Sequence, residues 1–116
     1  MAVEGDRTMT SITNRQFRLI ARPVGPVQRS DFDFVTEPVP EPAEGEAVVA
    51  VQYVSLDPAM RGWMNEGKSY IAPVALGEVM RAGGVGRVIA SNDPSLAVGD
   101  FVTGLTGVQE YALGKA

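Results

Sequence analysis

Ser55 to Gly86 reads SLDPAMRGWMNEGKSYIAPVALGEVMRAGGVG. The run is rich in Gly, Pro, Met and aromatic residues, with Asp, Arg and Glu set between apolar neighbours. Strand-forming sequence lies on both sides of it. A long loop held between strands is where a small β domain places its working residues. The stretch therefore predicts one wall of a cleft. Its one helical candidate is a turn around Pro58 to Met64, with Asp57 as cap and Pro58 at the first helical position.

Before the loop, Met1 to Asn14 shows no periodicity and predicts a disordered lead-in, with order beginning near Arg15. Phe17, Leu19 and Ala21 alternate with Arg18, Ile20 and Arg22, a period of two that predicts a strand with one buried face. Pro23, Gly25 and Pro26 break it into a turn. Asp31 to Thr36 predicts a second strand with Phe32 and Phe34 on one face. Glu37 to Gly45 (EPVPEPAEG) predicts an extended connection closed by a turn at Glu44-Gly45. Glu46 to Val54 is the strongest strand, apolar enough on both faces to be central and buried over part of its length.

After the loop, Gly84 to Ser91 predicts a β-branched strand and Asn92 to Ser95 a turn. Strands at Phe101 to Leu105 and Val108 to Leu113 follow, joined by a turn at Thr106-Gly107. Six or seven short strands without a long helix point to a small β-barrel or sandwich.

Composition narrows the chemistry. At 116 residues the chain is one domain at most, and 45% hydrophobic residues are enough for a core of its own. A net charge of −4 offers no footprint for nucleic acid or an anionic membrane surface. The sequence has no Cys and no His, so thiol catalysis, histidine bases, disulfides and ordinary zinc sites are excluded from it. No apolar run approaches the roughly 18 residues that span a bilayer, and the polar opening lacks a signal-peptide core. A cytoplasmic domain is expected.

Gly83-Gly84-Val85-Gly86 is followed by a strand, where a dinucleotide fingerprint needs a helix, and so reads as a barrel corner or a close strand approach. Asp57, Glu66 and Glu78 have no spacing that demands acid–base work. Arg61 and Arg81 stand among apolar residues and call for an internal carboxylate, Glu78 or Asp57, or for a phosphate or substrate. Trp63, Tyr70, Met60 and Met64 fit a substrate pocket and a core lid equally.

Taken together, Ser55-Leu56-Asp57-Pro58-Ala59-Met60-Arg61-Gly62, Leu76-Gly77-Glu78-Val79-Met80, Gly84-Val85-Gly86, Gly99-Asp100 and Gln109-Glu110-Tyr111 resemble a known family. It is the N-terminal domain of zinc-independent, leukotriene/prostaglandin-type NADP-dependent reductases of the medium-chain dehydrogenase/reductase superfamily. The resemblance runs from about Arg15 to Leu113. It implies a mainly β, GroES-like, partly open barrel over residues 15–116 with at most one or two short helical turns, continued in relatives by a Rossmann domain that this chain lacks. It also implies NADPH-dependent reduction of the C=C bond of α,β-unsaturated ketones or aldehydes.

By the same resemblance, Asp57, Pro58 and Ala59 lie at the cofactor, Ala59 and Tyr70 at the substrate, and Arg61 pairs structurally with Glu78. Ala59 replaces a tyrosine frequent in the family. NADP would be held mainly by the absent domain. No catalytic residue and no metal ligand fall in this chain, so the isolated piece is expected to be inactive. A small-molecule substrate is expected, with no nucleic acid or membrane partner, and a homodimer for the longer protein. A quinone reductase of the same superfamily and a stand-alone barrel binding module are the alternatives.

Overall fold

The computed structural model describes residues 8–67 and 71–115. Six strands run in the order β1 (Thr8–Leu19), β2 (Phe32–Pro40), β3 (Ala47–Val54), β4 (Gly83–Ser91), β5 (Phe101–Leu105) and β6 (Tyr111–Gly114), with the helix α1 (Ala59–Trp63) after β3. β1 and β2 form an antiparallel pair, and β5-β4-β3-β6 form a four-stranded sheet. All named pairings are antiparallel.

The two sheets are stitched through β1. Phe17 N–H donates to Val108 O at 3.0 Å and Glu110 N–H to Arg15 O at 3.1 Å; farther along, Leu19 N–H donates to Glu78 O at 3.0 Å and Met80 N–H to Phe17 O at 2.9 Å. One strand thus meets both arms of the chain that flank β4 and β5. The result is the expected mainly β, partly open GroES-like barrel, with one short α-helix and a 3-10 turn at Arg29–Asp31 among the described residues.

The last strand, expected from Val108, begins at Tyr111; two other boundaries differ from the sequence reading for one shared reason. Order was expected to begin near Arg15, but β1 begins at Thr8. Glu37 to Gly45 was expected as an extended connection, but Glu37, Pro38, Val39 and Pro40 belong to β2. Thr13 and Asn14 pair with Pro38 and Glu37. Proline is tolerated there because β2 has a single strand neighbour, so the missing N–H falls on a free edge. Neither segment shows a periodic pattern alone, and each is held by the other.

β3 is central, between β4 and β6, and Ala47, Val48 and Val49 are all buried, so both of its faces are covered there. The core falls into two clusters. Ala47, Val49 and Val88 pack inside the four-stranded sheet with Leu96 and Val102. Leu19, Met60, Met64, Val74, Met80 and Ala82 pack where β1, α1 and the return segment meet.

Candidate active site

The second cluster opens into a cavity of about 610 Å³, lined by Phe17, Val27, Phe32, Leu56, Asp57, Pro58, Met60, Arg61, Met64, Met80 and Val108. Its floor is thioether and aromatic surface. Met60, Met64 and Met80 are buried, and Phe17 meets the Phe32 ring edge-on with centroids 6.5 Å apart. Such a lining accepts a flat apolar molecule of adjustable outline. Leu56 stands at the rim, 83% exposed. Asp57 and Arg61 are the charged residues of the wall.

The turn that enters α1 is fixed locally. Asp57 Oδ1 accepts the Ala59 N–H at 2.8 Å, and Asp57 O accepts the Met60 N–H at 3.0 Å. The side chain thus satisfies one of the helix's otherwise unpaired first amides. The Asp57 N–H in turn donates to Met60 Sδ at 3.3 Å. The expected helical turn is present, starting one residue later with Pro58 in the cap position, and Asp57 holds its first amide as expected.

Arg61 does not meet a carboxylate among the described residues. Its Nε donates to Gly25 O at 3.2 Å, its Nη2 to Pro23 O at 3.1 Å, and its Nη1 to Asn65 Oδ1. Glu78, the expected partner, instead accepts the Ala75 N–H at 3.1 Å in its own turn. Backbone carbonyls and an amide replace the ion pair because Arg61 points to the loop before β2, away from that turn. Arg81 stacks its guanidinium 5.5 Å from the Trp63 ring centre, and its Nη1 is buried without a hydrogen-bond partner. Trp63 packs against the core cluster, and Met60 and Met64 serve as both core and cavity wall.

Asp57 and Pro58 line the cavity, while Ala59 is half-buried on α1 and does not. Tyr70 lies outside the described residues. The sequence reading missed Phe17, Val27, Phe32, Met80 and Val108 as wall residues. Alternation marked Phe17 and Phe32 as facing inward, but nothing in it distinguished a filled interior from an open one. Arg22 was missed as well: its Nη1 donates to Met64 O at 3.0 Å and Val74 O at 2.6 Å, tying together two parts of the loop.

The glycine run belongs to the barrel. Gly83 to Gly86 opens β4, and a Cβ on Gly86 would stand 2.6 Å from Ala50 O and collide with the Val49 side chain. The described residues contain no cluster of His, Cys, Asp or Glu able to hold a metal, and no helix among them is long and apolar enough to cross a membrane.

The described chain is a partly open GroES-like barrel with an apolar cavity beside a capped Asp-Pro turn. The family described as the N-terminal domain of oxidoreductase matches residues 15–116, and the chain belongs to it. Over 98 residues it is 42% identical to the NADPH-dependent curcumin reductase of Escherichia coli, covering 84% of this chain and 28% of that protein. Over 108 residues it is 35% identical to the NADP(+)-dependent 2-alkenal reductase of Nicotiana tabacum, covering 88% of this chain and 31% of that protein. The crystal structure of CurA from Vibrio vulnificus in complex with NADPH superposes with a TM-score of 0.83 at 43% identity, covering 88% of this chain and 30% of that one. The chain thus spans a little under a third of the relatives it matches. The resemblance read from the Asp57-Pro58 and Leu76-Gly77-Glu78 motifs is borne out.

Proposed function

We propose that this chain is the substrate-side domain of a zinc-independent, NADPH-dependent cytoplasmic reductase acting on the C=C bond of α,β-unsaturated ketones or aldehydes. The apolar cavity beside Asp57-Pro58 carries the reading, supported by the curcumin and 2-alkenal reductases among its relatives. Bound NADPH supplies the hydride. The residues present fit an edge contact to it and no more. Pro58 is exposed at the cavity rim beside the capped Asp57, whereas the glycine run leads into a strand and forms no phosphate-binding turn.

Asp57, Pro58 and Ala59 would therefore border the nicotinamide, with the remaining cofactor contacts on a further domain. The cavity would hold the apolar body of the substrate and exclude water from it. Tyr70 would donate a hydrogen bond to the substrate carbonyl, where enolate charge develops. Zinc has no part in this reading, and a sequence without Cys or His agrees with that. The longer protein would be a homodimer.

The test is NADPH oxidation by the intact reductase with simple enones, with and without a metal chelator. Turnover of enones that survives chelation is expected. Turnover of quinones with none of enones would overturn the proposal. Tyr70→Phe should lower kcat several-fold.

A further inference from the structure

The loop between β1 and β2 contributes Val27 to the cavity wall, and it is fastened on both sides of that residue. At its base, Ile20 N–H donates to Asp31 O at 2.8 Å, and the buried Asp31 accepts the Gln28 N–H on Oδ2 at 2.8 Å. On the other side, Arg61 reaches across from α1 to the carbonyls of Pro23 and Gly25. Between the two fastenings Val27 is 41% exposed and lines the cavity with Pro58 and Leu56. Gly25 has φ of 71°, so the chain turns sharply just where Arg61 holds it.

The geometry points to Arg61 as a positioning residue that sets the width of the cavity, and with it the preference for broad aromatic substrates over short ones. This rests on the reading that the cavity receives substrate. The guanidinium suits the task because its planar fork reaches two carbonyls and the Asn65 amide at once, which a single ammonium cannot do with the same geometry. It touches no reacting atom. It acts through Val27, which lines the same cavity as Pro58.

The experiment pairs binding with turnover. Benzylacetone, a saturated aromatic ketone that cannot be reduced at a C=C bond, is titrated into the 116-residue chain while the methyl signals of Met60, Met64 and Met80 are followed by NMR. In the intact reductase, KM and kcat are measured for benzylideneacetone and for methyl vinyl ketone. Arg61→Lys and Val27→Ala should each weaken benzylacetone binding about tenfold and raise KM for benzylideneacetone by a like factor. The ratio of kcat/KM for benzylideneacetone to that for methyl vinyl ketone should fall about tenfold in each variant.

A merely structural Arg61 would lower the thermal midpoint and affect both enones alike, which overturns the inference. Unchanged aromatic binding in Val27→Ala overturns it too, and decides the matter if Arg61→Lys does not fold. No methionine-methyl shift with the unsubstituted chain also overturns it. If benzylacetone binds with the expected dependence but the intact protein reduces no enone, the width-setting role stands and the proposed reaction falls. If enones are reduced and the ratio between them does not move, the reverse holds.

Discussion

Three glycines within four residues look alike in sequence and differ in what surrounds them. A Cβ on Gly83 would find only Gly104 O, at 4.0 Å; on Gly84 it would lie 2.7 Å from Tyr53 O and meet the Thr106 hydroxyl. On Gly86 it would press on the Ala50 carbonyl. Gly84→Ala and Gly86→Ala should each destabilise the domain by about 1–3 kcal/mol through forced strand separation, and Gly83→Ala by less than about 1 kcal/mol. Urea unfolding would rank them, and equal effects at all three positions would contradict this account. At Asp57, one carboxylate oxygen holds the first amide of α1. Asp57→Ala should cost about 1 kcal/mol in the same measurement. The capping role was legible from the Asp-Pro pair, because a cap is a local device. The separate reasons for Gly84 and Gly86 were not, because each depends on a strand distant in sequence.

Among the elements, β1 departs most from its sequence pattern. Alternation predicted one buried face, yet Asn14 and Gln16 on the other face are also buried. Asn14 Oδ1 accepts the Glu110 N–H at 3.1 Å and the Tyr111 N–H at 3.0 Å, and its Nδ2 donates to Gln109 Oε1 at 2.8 Å. Gln16 Nε2 donates to Glu37 Oε1 at 3.2 Å, while Gln16 Oε1 accepts Arg18 Nε at 2.6 Å. This polar seam joins β1 to the approach to β6 where no continuous strand ladder does. Asn14→Ala would leave the Tyr111 N–H short of an acceptor in a partly buried place, while the Glu110 N–H keeps Arg15 O. A loss of about 1–3 kcal/mol is expected, with faster hydrogen exchange at Tyr111. Asn14→Ala with unchanged exchange there would show that the seam is not what joins the sheets.

For the whole molecule, closure of the barrel has an ionic component at its surface. Arg15 Nη2 lies 2.6 Å from Glu110 Oε2, and Arg15 Nε donates to Glu110 Oε1 at 2.9 Å. The hydrogen bond from Arg15 holds the Glu110 carboxyl below its ordinary value, helped by the Arg15 backbone N–H and its charge and opposed by burial. A carboxyl lowered on folding stabilises the fold above its unfolded value, and that contribution disappears as pH falls through the lowered folded one. Acid should therefore loosen the β1 seam from the ordinary glutamate range downward, and Glu110→Gln should flatten that part of the stability–pH curve. The effect should be small and salt-sensitive, since both side chains reach solvent.

Local pattern was enough to reveal strands β3, β4 and β5, the α1 turn, the absence of Cys and His ligands and, through its ordered motifs, the family. Those signals depend on periodicity, capping and composition, which act within a few residues. Tertiary structure alone decided that Thr8–Asn14 and Glu37–Pro40 are strand, that Asn14 and Gln16 are buried, and that Arg61 grips carbonyls near residue 24 rather than Glu78. In each case the deciding partner lies about twenty or more residues away, and only the folded chain brings it within hydrogen-bond reach.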